Sequence, residues 1–214
     1  MHETSKIVRV DPLDPDPEII IAAGEIIRRG GLVVFPASCI YGIAASALSS
    51  KAVEKVFQIK QRPQTNPILV LIPDRSMVND LADCISEHAS ILMDTFWPGN
   101  LTLVFRAKKQ VLSVLTAETG KIGIRLPGHP VAKALAESLG FPVTGTSANI
   151  SGMPGCTRVQ DLDPSITDMA DLVLDAGPLK GGTGSSIVDV TGRKPVILRQ
   201  GAVMEAAIIK ALNR

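Results

Sequence analysis

Aromatic residues are scarce. Five Phe, one Trp and one Tyr make up 3% of the 214 residues. A platform of stacked aromatics, as many single-strand RNA binders use, is hard to build from so few. Cysteine is sparse as well. Cys39, Cys84 and Cys156 are odd in number, far apart and without a Cys-x-x-Cys pair, which disfavours a disulfide framework or a structural zinc site. Net charge nearly vanishes: 22 Lys+Arg against 21 Asp+Glu leave +1 with His neutral. A protein that coats nucleic acid or membrane with its whole surface needs a stronger imbalance. No apolar run approaches the ~20 residues of a membrane span, and Met1 to Asp16 has no apolar h-region, so no signal peptide is expected. Low-complexity linkers and internal repeats are missing too. A cytoplasmic chain forming a single domain over residues 1–214, without membrane contact, is the expectation.

What is present is the balance of a globular protein: 45% hydrophobic and 20% charged residues, unlike a disordered chain. Eighteen Gly and fifteen Pro punctuate short apolar runs. Leu32–Phe35, Ile68–Ile72, Leu101–Phe105, Ile122–Leu126, Leu172–Leu174, Ile187–Val190 and Val196–Leu198 read as strands. Several are apolar on both faces, as in a sheet covered on both sides. Helices alternate with them. Asp16-Pro17-Glu18 is a start signal. Ile19, Ala22, Ala23, Ile26 and Ile27 form one stripe, and Gly30-Gly31 stops that helix. Ser50 is read as the cap of a second helix, and further helices are expected over Ser86–Phe96, Val131–Leu139 and Met204–Asn213. The mixture predicts an α/β domain with a twisted mixed sheet flanked by helices.

Five segments carry chemistry. Phe35-Pro36-Ala37-Ser38-Cys39-Ile40-Tyr41-Gly42 reads as a pocket wall with hydroxyl, thiol and backbone donors, or as a plain strand-to-helix turn with a half-buried Tyr. Lys60-Gln61-Arg62-Pro63 leaves a helix end. It reads as an anion clamp, Lys60 a point charge and Arg62 a fork, or as cations offsetting a helix dipole. Arg125 interrupts an apolar strand and needs a partner there, a phosphate or a protein carboxylate. His129 nearby, between Gly128 and Pro130, reads as a loop or capping residue or as a proton-transfer group. Thr144-Gly145-Thr146-Ser147-Ala148-Asn149 ends a strand in hydroxyls, an amide and glycine, a composition that cradles phosphate or makes an ordinary turn. It is not a Walker loop, because Gly-Lys-Ser/Thr is absent. Finally Gly181-Gly182-Thr183-Gly184-Ser185-Ser186 precedes a strand, and Arg199 ends the next.

In this order the segments resemble the YrdC/TsaC family of threonylcarbamoyl-AMP synthases, over roughly residues 24–203. The set that carries the resemblance is Pro36-x-x-x-x-Tyr41-Gly42, Lys60-x-Arg62-Pro63 with Asn66-Pro67, and Trp97-Pro98-Gly99-x-Leu101-Thr102. It continues with Arg125-x-Pro127-x-His129-Pro130, Ser147-Ala148-Asn149-x-Ser151-Gly152, Ser185-Ser186-Ile187-Val188-Asp189 after a Gly-Gly, and Leu198-Arg199-x-Gly201. The resemblance implies a nucleotidyltransferase that joins L-threonine, bicarbonate or CO2, and ATP. Pyrophosphate leaves, and the product is handed to a tRNA threonylcarbamoyl transferase complex. It implies catalytic Lys60 and Arg62. ATP ligands would be Lys60, Arg62, Arg125, Thr146, Ser147, Asn149 and Arg199, and threonine ligands Cys39, Tyr41, Arg62 and Ser185. Mg2+ is implied as counter-charge to the triphosphate, with no dedicated protein metal site.

Two positions depart from the family pattern. Ala37, Ser38 and Cys39 stand where a Thr-acid-Thr run is usual, and Leu71 stands where many members have His. Both are expected on the threonine side of the pocket, which leaves a divergent enzyme with another amine as an alternative. A second alternative is an accessory protein with local tRNA or double-stranded RNA contact. A third is a cysteine hydrolase using Cys39, His129 and Asn149.

Overall fold

The computed structural model describes residues 6–213. Residues 1–5, the head of the segment read above as lacking a signal peptide, lie outside them.

Eleven short strands form two mixed sheets among the described residues. The five-stranded sheet runs β1 (Ile7–Arg9), β9 (Leu172–Asp175), β2 (Val33–Pro36), β3 (Tyr41–Ala44), β8 (Thr146–Ser147). The six-stranded sheet runs β11 (Val196–Arg199), β10 (Ser186–Asp189), β5 (Leu101–Arg106), β6 (Lys121–Arg125), β4 (Val70–Leu71), β7 (Val143–Thr144). The expected α/β architecture is present, with the sheet divided in two rather than continuous. The division falls at Gly145. Thr144 on one side of it pairs with β4, and Thr146 on the other pairs with β3. The sheets are stitched there: Ala45 N donates to Thr144 Oγ1 at 2.9 Å and Thr144 N donates to Ala45 O at 2.9 Å. A Cβ on Gly145 would lie 2.7 Å from both Leu69 Cδ1 and Leu71 Cγ, so a side chain has no room.

Helix boundaries follow local capping chemistry. α1 (Pro17–Arg28) is capped by Asp16, whose carboxylate accepts from Glu18 N at 2.8 Å. It ends before Gly30, whose φ of +81° only glycine adopts freely. The cap of α2 (Ser50–Ile59) is Ser49 rather than Ser50, because Ser49 Oγ accepts from Ala52 N at 3.3 Å. Short helices not anticipated are α3 (Val78–Leu81), α5 (Ser113–Thr116) and α7 (Pro164–Met169). α4 (Glu87–Phe96), α6 (Pro130–Leu139) and α8 (Glu205–Leu212) lie within a residue of expectation.

Packing explains the apolar runs. Leu32 and Val34 join one core cluster while Val33 and Phe35 join the other, so β2 is buried on both faces. α1 and α6 pack through Ile20, Ala23, Ile27, Val131, Ala132 and Leu135 over Val33, Phe35, Leu172 and Leu174. Each of the larger side chains among these contributes ~1.5–3 kcal/mol of transfer free energy, the alanines less. The six-stranded sheet has the opposite character. Leu101, Leu103, Phe105, Ile122, Ile124 and Val188 point into the core, while Thr102, Val104, Lys121, Gly123, Arg125, Ile187 and Asp189 alternate with them on the other face. That second face is the floor of a cavity.

Candidate active site

The cavity has a volume of about 660 Å³. Its floor is the polar-alternating face just described. Its opposite wall comes from Phe35, Ala37, Ile40, Tyr41 and Gly42, from Arg62 and Asn66–Leu69, and from Gly145–Ser147. Gly184, Ser185, Leu198 and Arg199 close one side. The turn after Pro36 is therefore not a strand-to-helix connection. β2 and β3 form a hairpin, Pro36 opposite Tyr41, and of the residues between them Ala37 and Ile40 line the cavity.

Three arginines converge on one end. Arg62 is fixed at the rim, its Nε donating to Asn66 O at 3.1 Å and its Nη2 to Pro67 O at 2.8 Å. The Asn-Pro pair of the sequence motif thus acts through two backbone carbonyls. Arg199 donates from Nε and Nη2 to Ser185 O at 3.2 and 2.7 Å. Arg125 is the extreme case: its Nε is buried with no hydrogen-bond partner among the described residues. Burial pushes its pKa down to about 10; a thiolate at nearby Cys39 would raise it, while Arg199 lowers it further. Burial, then Arg199, lowers Arg62 likewise, and burial lowers Arg199. No ion pair among the described residues joins any of the three to a carboxylate. A cluster of desolvated guanidiniums without counter-charge has the chemistry to take an anion.

Hydroxyls complete that end. Thr146 and Ser147 line the cavity. Ser185 is buried there, its Oγ paired with Thr102 Oγ1 at 2.8 Å. Thr102 carried a readable signal, a lone polar residue inside Leu101–Phe105. At the other end Lys121 Nζ meets Asp189 Oδ2 at 2.7 Å. Burial works to raise the Asp189 pKa, but hydrogen bonds from Lys121 and Thr191 outweigh it and hold the carboxyl below its ordinary range. This pair was not anticipated. Its trace in the sequence is the alternation of Lys121, Gly123 and Arg125 with Ile122 and Ile124.

Other expected contacts are placed differently. Lys60 does not line the cavity; it is 1% exposed, and its Nζ donates to Ser147 O, to Asn149 O at 2.6 Å and to Asn149 Oδ1 at 3.4 Å. Asn149 is spent in the same node, its Nδ2 donating to Ile150 O at 2.7 Å and Met153 O at 2.6 Å. Tyr41 is fully buried rather than half-buried. Its ring backs the cavity, but its hydroxyl turns away, donating to Gly177 O at 2.7 Å and accepting from Ala176 N at 3.0 Å. That burial raises its pKa to about 12. Cys39 stays half-buried in the hairpin turn, outside the cavity lining, its carbonyl accepting from Gly181 N at 3.0 Å. Leu71 is 1% exposed and packs in the core with Phe35 and Val131, whereas Leu69 faces the cavity. The missing His is thus replaced by core packing rather than by a new wall. The Cys39–His129–Asn149 arrangement does not assemble: His129 Nδ1 has no partner among the described residues and the Asn149 amide is engaged elsewhere.

Comparison with known proteins bears on the family and the fold. The Sua5/YciO/YrdC family model, described as telomere recombination, matches residues 25–201. A Bacillus subtilis protein named threonylcarbamoyl-AMP synthase is 37% identical over 194 residues, 90% of this chain and 56% of that protein. The structure of Pyrococcus abyssi Sua5 complexed with L-threonine superposes with a TM-score of 0.89 at 33% identity, covering 96% of this chain and 60% of that one. Escherichia coli YciO superposes with a TM-score of 0.84 at 29% identity, covering 96% of this chain and all of that one. The chain therefore spans little more than half the length of the first two.

Proposed function

This chain belongs to the Sua5/YciO/YrdC family, and on that premise we propose that it makes threonylcarbamoyl-AMP and pyrophosphate from L-threonine, bicarbonate or CO2, and ATP, within a single domain. The observation that carries the proposal is the carboxylate-free cluster of Arg62, Arg125 and Arg199 at one end of the cavity. It is opposite in sign to a triphosphate and to an amino-acid carboxylate, and offsets part of their combined charge.

In this reading the threonine amine adds to CO2 and loses a proton, giving a carbamate. A carbamate oxygen attacks the α-phosphorus, the bond to the β-phosphate oxygen breaks, and pyrophosphate carries the electron pair away. The protein needs no covalent nucleophile; it needs position and fixed positive charge. Arg62 and Arg125 hold the charged groups of both substrates. Arg199, Thr146 and Ser147 hold the nucleotide's phosphates, and Ser185, oriented by Thr102, faces the amino acid. The apolar residues Val104, Gly123 and Ile187 of the floor, with Leu198 beside them, receive the nucleoside. Mg2+ would accompany the triphosphate as counter-charge: among the described residues no group of three His, Cys, Asp or Glu could hold one. The adenylate then passes to an enzyme that modifies tRNA.

The test supplies ATP and bicarbonate with a panel of amino acids. It measures pyrophosphate release and identifies the adenylate by mass. Threonine-dependent product, lowered ~100-fold or more in Arg62→Ala, supports the proposal. Absence of an adenylate with every amino acid overturns it. Product with an amine other than threonine corrects its substrate.

A further inference from the structure

The buried cation behind the cavity wall has no place in the chemistry above. Lys60 caps the C-terminal end of α2, yet its side chain does not run out to solvent. It runs inward to the segment after β8, where three oxygens of Ser147 and Asn149 surround its Nζ. Its own carbonyl accepts from Ser151 N at 2.8 Å. Both ends of one residue therefore hold one five-residue turn. Asn149 extends the grip to Ile150 and Met153. Ser147, whose carbonyl Lys60 holds, lines the cavity, and so does Thr146 before it. Three acceptors on one buried ammonium match its three donors. A loop with two main-chain carbonyls turned toward a cation cannot reverse its peptide planes without leaving that charge unpaired, which is costly in a dry site.

We propose that Lys60 is a positioning residue: by drawing the Ser147 and Asn149 carbonyls inward it fixes the turn that aims Thr146 and Ser147 at the bound phosphates, and it does not itself touch the ligand. This rests on the synthase reading for the identity of the ligand, but the loop effect can be measured without any substrate.

The experiment has two arms. In the first, amide hydrogen exchange of residues 147–151 is followed in the unliganded wild type from pH 6.5 to 9.5, corrected for the intrinsic pH dependence of exchange. Burial, then the neighbouring Arg62, depresses the Lys60 pKa to about 8. The neutral amine has two donors for three oxygens, so protection of these amides should fall ~10-fold across pH 8. In Lys60→Met it should be low and without that pH step. The second arm is a double-mutant cycle on threonine-dependent pyrophosphate release, using Lys60→Met, Ser147→Ala and the double variant. A residue acting through the turn gives losses that do not multiply, so the double variant falls within ~3-fold of the slower single one. Losses that multiply, or exchange at 147–151 indifferent to both pH and Lys60→Met, overturn the proposal. If Lys60→Met fails to fold, the wild-type pH arm decides alone. A wild type that releases no pyrophosphate refutes the synthase reading, while the exchange arm still decides the role of Lys60.

Discussion

Arg125 should make the unliganded protein less stable than it would be with an uncharged side chain in its place. Arg125 is partly buried, its Nε is buried without a hydrogen-bond partner among the described residues, and Arg199 faces it with the same charge. Its pKa falls from 12.5 to about 10. Each unit corresponds to about 1.4 kcal/mol, so holding the charge costs about 3 kcal/mol. The sign follows from proton linkage. Because the folded pKa lies below the unfolded one, the penalty is fully present at pH 7 and is relieved only as pH rises through about 10. Arg125→Met keeps the unbranched stem and removes the charge. Relaxation of the surrounding cavity will offset part of the gain, leaving stabilisation of about 1–3 kcal/mol and a rise in Tm of ~2–10 °C for a chain of this length. Scanning calorimetry at pH 7 reads this directly. The same scans with ATP should raise Tm in the wild type and leave Arg125→Met nearly unmoved, because a ligand stabilises only the state that binds it. A variant that melts clearly below the wild type without ligand would refute the reasoning, since it would mean the guanidinium has a stabilising partner.

Two substitutions separate scaffold from site. Tyr41→Phe removes the hydroxyl that bonds Ala176 N and Gly177 O. It should cost about 1–3 kcal/mol in denaturant unfolding while the ATP concentration dependence of pyrophosphate release stays unchanged; a large rise in KM for ATP would put the hydroxyl in the site after all. Gly201→Ala would place a Cβ 2.6 Å from Ser185 O, and backbone cannot yield as a side chain can. Ser185 must shift with it, so activity should fall ~10-fold or more together with stability; an unaltered variant would show that the 184–186 loop has slack.

Some of the site was visible before folding because its signals are local. Arg125 stands inside the apolar run Ile122–Leu126, so a strand reading already demands a partner for it. Arg62 and Arg199 leave the ends of predicted elements, where ligands gather, and the structure brings both to the cavity. Lys60 and Asn149 have the same residue chemistry and sequence neighbourhood, yet they face away from the cavity. Nothing within Lys60-Gln61-Arg62 tells which of the two cations points inward. That depends on a turn 87 residues later, whose carbonyls reach Lys60 and not Arg62. Tyr41 and Leu71 differ from expectation for the same reason: their partners, Gly177 and the α1–α6 layer, are remote in sequence.

The sequence by itself determined the α/β alternation, the main helices and their stops, the apolar strands and the order of the binding segments. Each of these rests on capping, periodicity or residue chemistry that acts over a few neighbours. Tertiary structure alone decided that the sheet divides at Gly145, where no Cβ fits between Leu69 and Leu71. It alone decided that one face of β5, β6 and β10 is left open as a floor. It also sorted the cations: Arg62, Arg125 and Arg199 reach the cavity with no ion pair among the described residues, whereas Lys60 is held by carbonyls and Lys121 by Asp189. A near-neutral total charge carries no such information, because the free energy of a charge depends on which groups the fold sets around it.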